Sequence, residues 1–252
     1  MVLVDDGGND VHVKLKHRIS SILLDGKGVL FSPFRKRDGS LIWPSFAGPN
    51  GHHMLIVHQP SLRSKAEQFI GSLRFCDDVC RVDIMDAGED PATGRRRLHK
   101  IAGMLDGTPV GLHRPRMKAV RRGVVVSSVD RETAMVIVVH GVTGLLENVR
   151  RQKTRMGVLD DLRRLMDDGP DRNIHVVLMQ EASDDGAVIL SELGRRAGNT
   201  VCIGYLNPIT LQIVFGSMVS WSGAKPRSTN IAWVRCASDV WGHMVSGLVP
   251  IP

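Results

Sequence analysis

A chain of 252 residues with 42% hydrophobic and 23% charged content can bury a large α/β core, in one domain or two lobes, and is not disordered throughout. Aromatic residues make up 4%, with one tyrosine, which counts against a stacking platform for single-stranded nucleic acid. The net charge of +7 and pI near 9.6 favour acidic partners such as nucleic acid, phosphorylated ligands or anionic lipid.

The first residues lack the basic-then-apolar pattern of a secretory leader, and no apolar run reaches bilayer length. The four cysteines (Cys76, Cys80, Cys202, Cys236) follow no disulfide or zinc-finger spacing. An intracellular protein with reduced thiols, no membrane partner and no structural metal is expected.

In chain order, 11–16 suits an edge strand or ordered arm, and Ile19–Leu24, Asp25–Gly28 and Val29–Phe31 suit a hairpin. A loop rich in proline and glycine follows to His53, with Trp43 and Phe46 tucked beneath it. Met54–Val57 reads as a strand, Ser61 as the N-cap of a helix through Lys65, Phe69 and Leu73, and Val79–Met85 as the next strand. That is one β-α-β unit, which implies parallel neighbours.

Between Arg95 and Arg122 the chain carries Arg95, Arg96, Arg97, Lys100, Arg114, Arg116, Lys118, Arg121 and Arg122 against Asp106 alone. Nine cations less one anion give +8, more than the whole chain's +7, so the positive excess is concentrated in this segment. Its prolines and glycines predict a long loop or short helix joining two lobes, 1–90 and 123–252, across a connecting segment at 91–122.

Val124–Val126 and Ala134–Val139 are predicted strands. Leu145–Met166 is a predicted amphipathic helix weakened or kinked at Gly157, and Ile174–Met179 is a strand. Asp184–Arg196 is a helix with carboxylates first and arginines last, closed by Gly198, and Val201–Tyr205 is a strand. Leu211–Phe215, Met218–Trp221 and Asn230–Cys236 suggest a β-rich tail. The predicted fold class is α/β, a mixed sheet with β-α-β crossovers in both halves and extra β structure at both ends.

Motifs are sparse. Asp25-Gly-Lys-Gly-Val-Leu30 resembles the first motif of haloacid-dehalogenase phosphatases, which implies an aspartate nucleophile. Lys27 stands where that family has its second aspartate, and an Asp-Gly turn accounts for the same residues. Gln180-Glu181 is similar to the strand-end metal glutamate of endonuclease/exonuclease/phosphatase enzymes, without their later aspartate–asparagine pair and histidine. Glycines at 141 and 144 follow a strand, as a phosphate-binding turn would, yet neither G-x-G-x-x-G nor a Walker lysine occurs. His52, His53 and His58 lack a carboxylate nearby in sequence and are expected on loops or the surface. No spacing nominates a catalytic residue, a metal ligand or a cofactor.

The basic segment makes the stronger claim, because clustered cations repel one another until solvated, paired or neutralised by a polyanion. The expectation is a non-enzymatic structural or assembly protein, a nucleoprotein or coat-type subunit. It would contact nucleic-acid phosphates, RNA first, and self-associate. The contacts would be Arg95, Arg96, Arg97, Lys100, Arg114, Arg116, Lys118, Arg121 and Arg122, extended by Arg150, Arg151 and Lys153. Two alternatives stand beside it. One is a phosphate-handling α/β hydrolytic enzyme built around Asp25, Asp83, His140 and Glu181; the other is a homo-oligomeric scaffold.

Overall fold

The computed structural model describes residues 34–36, 41–42, 44, 46, 52–71, 80–86, 90–106, 119–121, 124–126, 134–147, 152–182, 187–204, 206, 208–215, 232–236 and 243–248. The predicted arm at 11–16, the Ile19–Phe31 hairpin with Asp25, Trp43, Cys76 and the Met218–Trp221 strand lie outside them.

In chain order the elements are β1 (Phe34–Lys36), β2 (Leu41–Ile42), β3 (His53–His58), α1 (Arg63–Gly71), β4 (Cys80–Asp86) and α2 (Pro91–Gly103). Next come β5 (Ala119–Arg121), β6 (Val124–Val126), β7 (Ala134–His140), α3 (Val142–Glu147), α4 (Gln152–Asp167) and β8 (Ile174–Glu181). Last are α5 (Ala187–Ala197), β9 (Gly198–Ile203), α6 (Pro208–Phe215), β10 (Ala232–Arg235) and β11 (His243–Leu248).

Nine strands form one mixed sheet in the order β2-β1-β11-β10-β9-β3-β8-β7-β4, and β5 and β6 pair separately. The stretch β9-β3-β8-β7-β4 is wholly parallel, while β10, β11, β1 and β2 extend it in antiparallel fashion. The α/β class and the crossovers in both halves are therefore present. Strands from 53–86 and from 134–203 share this one sheet, with β3 lying between β8 and β9.

Both faces of β3, β7 and β8 are covered, which is why these strands read as unbroken apolar runs. Met54 and Ile56 of β3, Val136 and Val138 of β7, and Val177 and Met179 of β8 pack with Ala66, Phe69 and Ile70 of α1. The intervening residues, Leu55, Val57, Ile137, Val139, Val176 and Leu178, pack with buried residues of α2 to α6 on the other face.

Several expectations need correction. Over the helix predicted at Leu145–Met166, the described helices are α3, to Glu147, and α4, from Gln152, and α4 runs through Gly157. Gly157 lies inside α4 on an exposed position, where its cost of about 1 kcal/mol is offset by the buried Val158, Leu159, Leu162, Leu165 and Met166. Leu211–Phe215 is helical, because the apolar run follows Pro208 at the start of α6, and a short apolar run alone fits helix and strand equally. The first part of the basic segment is not a loop. Asp90 accepts a hydrogen bond from the Thr93 N–H at 3.1 Å, Pro91 takes the first turn, and thirteen residues of α2 follow.

Candidate functional site

The connections out of β3 and β8 run in opposite directions. From β3 the chain passes through α1 to β4, beyond β8 and β7. From β8 it passes through α5 to β9, on the other side of β3. Strand order therefore reverses between β3 and β8, and in open parallel sheets ligands bind in the crevice outside the carboxyl ends at such a point. The candidate site is the set of residues that the carboxyl ends of β3, β8, β9 and β7 place there.

Backbone hydrogen bonds tie these ends together. Ala182 N–H donates to the His58 carbonyl at 2.8 Å, Gln59 N–H to Ile203 O at 3.1 Å, and Gly141 N–H to Met179 O at 2.9 Å. His58 and Glu181 are register partners at the last rungs of β3 and β8. His58 is buried, and its Nδ1–H donates to Gln59 O at 2.8 Å. Glu181 is exposed.

The chain leaves β3 through a tight turn at Pro60–Leu62, and α1 starts at Arg63. Ser61 thus sits inside the turn, not at an N-cap; Gln59 is the capping residue and makes no side-chain cap. Pro60 has no N–H to offer. Leu62 N–H donates to Gln59 O at 2.9 Å, and Arg63 N–H to Pro60 O. The amides that open this helix are thus largely engaged within the turn. Behind it, Gly204 ends β9 with φ of +91°, and a Cβ there would lie 2.5 Å from both Gln59 Oε1 and Leu62 Cδ1. The Gln59 and Leu62 side chains therefore press directly on the Gly204 backbone.

One strand over, Gln180 is buried, accepts from Thr143 N–H at 2.9 Å and donates to Glu181 O at 3.0 Å. It holds the first turn of α3 against the end of β8. His140, also buried, closes β7 beside it. Of the four residues in the enzymatic alternative, His140 and Glu181 come to adjacent strand ends. Asp83 lies within β4 opposite Ile137, three residues short of that strand's end, and Asp25 lies outside the described residues. Among the described residues no group of three His, Cys, Asp or Glu side chains could hold a metal ion.

The predicted basic contacts divide. Arg96, Arg97 and Lys100 are exposed on α2, and Arg95 is half-buried, with its guanidinium donating to Leu145 O of α3 at 3.3 Å. Arg96 donates to Thr93 Oγ1 at 3.0 Å and Arg97 to Ile84 O at 3.5 Å. Arg114, Arg116, Lys118, Arg122, Arg150 and Arg151 lie outside the described residues; Arg121 ends β5 and Lys153 belongs to α4. Three cations of α4 and α5 find acids. Arg163 reaches Glu192 at 2.8 Å and Asp160 at 3.1 Å, Arg164 reaches Asp106 at 2.5 Å, and Arg196 pairs with Asp167. Glu192 accordingly holds its carboxyl below the ordinary range, through its hydrogen bond from Arg163.

Sequence reasoning missed the β3-to-α1 turn as a site, since His58–Lys65 carries no glycine to announce it. It also placed the early histidines outside the core. His53 and His58 are buried, and only His52 is partly exposed. Their hydrogen bonds run to backbone groups, which no spacing between histidines reveals.

No protein-family model matches the chain, and no curated protein matches it in sequence. Solved structures do match in fold. The cytoplasmic domain of the type VII secretion ATPase EccC of Thermomonospora curvata aligns at a TM-score of 0.60 and 13% identity, over 90% of this chain and 29% of that one. ATPases 2 and 3 of EssC from Geobacillus thermodenitrificans align at 0.55 and 7%, over 90% and 45%. The pCW3 conjugation coupling protein TcpA, solved with ATPγS, aligns at 0.53 and 11%, over 90% and 67%. The chain spans less than half the length of the EccC and EssC chains.

P-loop ATPases bind phosphate on the amides and lysine of a glycine-rich strand-to-helix turn; the strand-to-helix turn at His58–Lys65 carries neither glycine nor a Lys-Ser/Thr pair. Among the described residues no helix is long and apolar enough to cross a membrane. The likeness is one of fold, and it overturns two expectations. A coat-type or nucleoprotein subunit finds no support in it, and the leaning against an enzyme gives way, since the neighbours are ATPase domains. This is an α/β chain with a P-loop NTPase-like fold, and the phosphate-handling alternative fits it better than the structural one.

Proposed function

We propose that the chain is a nucleotide-handling domain of an ATP-driven intracellular machine, with its ligand's phosphates at the crevice between β3 and β8. The reversal of strand order there, with a strand-to-helix turn facing the crevice, is the observation that carries this reading. With Pro60 lacking an N–H and the Leu62 and Arg63 amides engaged, phosphate contacts fall to side chains. Ser61, Arg63 and Ser64 are exposed on the turn and the first residues of α1. Glu181 is the nearest strand-end carboxylate able to orient a water or, with the phosphates, to share a divalent ion.

The test is binding of a fluorescent ATP analogue and release of phosphate with magnesium present, in wild type, Arg63→Ala and Glu181→Gln. Arg63→Ala should weaken binding about tenfold, the loss of one charge-assisted hydrogen bond. Glu181→Gln should keep binding and lower turnover. No binding at millimolar ATP, or two variants indistinguishable from wild type, overturns the reading.

A nucleic-acid partner is supported separately by the exposed Arg96, Arg97 and Lys100 that α2 carries close together. Arg96→Glu with Lys100→Glu should weaken RNA or DNA binding and flatten its salt dependence by about two contacts, leaving ATP binding unchanged. Unaltered nucleic-acid binding in that variant removes α2 as the contact.

A further inference from the structure

The sheet's opposite, amino edge carries a second polar cluster, which the carboxyl-edge site does not use. His53, the first residue of β3, is almost completely buried. Its Nδ1 accepts from Val176 N–H of β8 at 3.0 Å, and its Nε2–H donates to the carbonyl of Met166, in the last turn of α4, at 2.8 Å. Both partners are backbone groups with fixed roles, so the ring must be neutral with its proton on Nε2. Asn199 of β9 donates to the His53 carbonyl at 3.1 Å. One imidazole thus joins two neighbouring strands and a helix end.

We propose that His53 is an acid-operated latch, in which a second proton on the ring unpins β3 from β8 and from the end of α4. An imidazolium has no lone pair for Val176, so two N–H donors would face each other in a buried place and one must move away. The two neighbouring histidine rings oppose the proton, and one carboxylate favours it. His175 of β8 stands 6.4 Å away, ring centre to ring centre, as does His52 of the preceding segment. From α4 the facing carboxylate is Asp167, already paired with Arg196 of α5. From β9 the contact is the neutral Asn199, and Arg172, ahead of β8, donates to the Leu105 carbonyl.

Burial lowers His53 to about 4, with His175 and His52 acting the same way and the Met166 carbonyl and Asp167 opposing them. His175 is likewise lowered to about 4 by burial. Unfolded, both rings take their proton near pH 6.5. The latch contribution is therefore complete above about pH 6.5 and is lost as pH falls toward 4, where the open form binds more protons than the closed one.

The experiment is residue-resolved hydrogen exchange with histidine ring titration by NMR, on the full chain from pH 7 to 4. Val176 N–H should lose about 100-fold of its protection relative to Val138 N–H of β7, and His53 should titrate well below 6. In His53→Gln, whose amide still accepts and donates but takes no proton, the acid-dependent loss at Val176 should shrink by about tenfold or more, to the share that His175 carries. Val176 protection that tracks Val138 at every pH, or a His53 that titrates near 6.5 with its contacts intact, overturns the proposal. The wild-type measurements decide the matter if that variant does not fold.

Discussion

Gly204→Ala is a severe yet interpretable perturbation of the candidate site. The backbone there has φ of +91°, a region in which a Cβ costs roughly 1–2 kcal/mol. The added methyl would meet Leu62 Cδ1 and Gln59 Oε1 at 2.5 Å, where carbon contacts are comfortable at about 3.5–4 Å. Gln59 is partly exposed and can swing aside, whereas Leu62 is buried among Phe69, Ile56 and Ile203 and has little room. Overpacking of this kind typically costs about 1–3 kcal/mol, so the total comes to about 3 kcal/mol. For a chain of this length that lowers Tm by roughly 6–10 °C. Urea denaturation of Gly204→Ala, Leu62→Ala and the double variant measures it. Truncating Leu62 removes the clash, so the double variant should be less destabilised than the two singles summed by about 1 kcal/mol. Strict additivity, or Gly204→Ala within 0.5 kcal/mol of wild type, refutes the contact between the β9 end and the β3-to-α1 turn.

Two further predictions concern groups that carry hydrogen bonds in the fold. Arg235 donates to Phe215 O, at the end of α6, at 2.7 Å and to Thr200 Oγ1 at 3.3 Å, and burial holds its guanidinium below its ordinary value. Arg235→Met should cost about 2 kcal/mol in chemical denaturation, because the α6 carbonyl loses its donor, and Arg235→Lys should recover less than half, since one ammonium does not reproduce the two-pronged geometry. Gln180→Ala strands Thr143 N–H at the start of α3 and should cost about 1–3 kcal/mol by the same measurement, and Gln180→Met, which keeps the bulk but not the acceptor, should cost nearly as much. A Gln180→Met variant as stable as wild type would show that Gln180 acts through packing alone.

Much of the scaffold was legible because its cause is local. Runs such as Met135–Val139 and Val176–Met179 are apolar on both faces, and only a sheet covered on both sides asks for that. Gly198 marks the end of α5 and takes φ of +75°, as its position after Arg195 and Arg196 suggested. Phe46 is buried, stacked on His175 with ring centres 4.7 Å apart. The candidate site was hardly legible. It depends on β3 lying between β8 and β9, a pairing across more than a hundred residues that no window of sequence contains. Its turn carries Leu62 and Pro60 where a phosphate-binding loop would advertise itself with glycine.

The arginines drew attention for a sound reason that led to the wrong kind of protein. Concentrated charge requires something to neutralise it, and a polyanion is one answer. The described residues show how much of that requirement the fold meets internally. Arg95 turns to a helix-end carbonyl, Arg163 and Arg164 to carboxylates, and Arg172 to Leu105 O. Among the described residues, α2 carries the exposed Arg96, Arg97 and Lys100. The strand order sets the other constraint. A parallel sheet whose strand order reverses between β3 and β8 creates a crevice at its carboxyl edge regardless of surface charge. Surface charge is quickly altered by single substitutions, whereas the order of five buried parallel strands is not. The order therefore weighs more in deciding that this is an NTPase-type scaffold, and the charge on α2 in deciding what such a scaffold could hold.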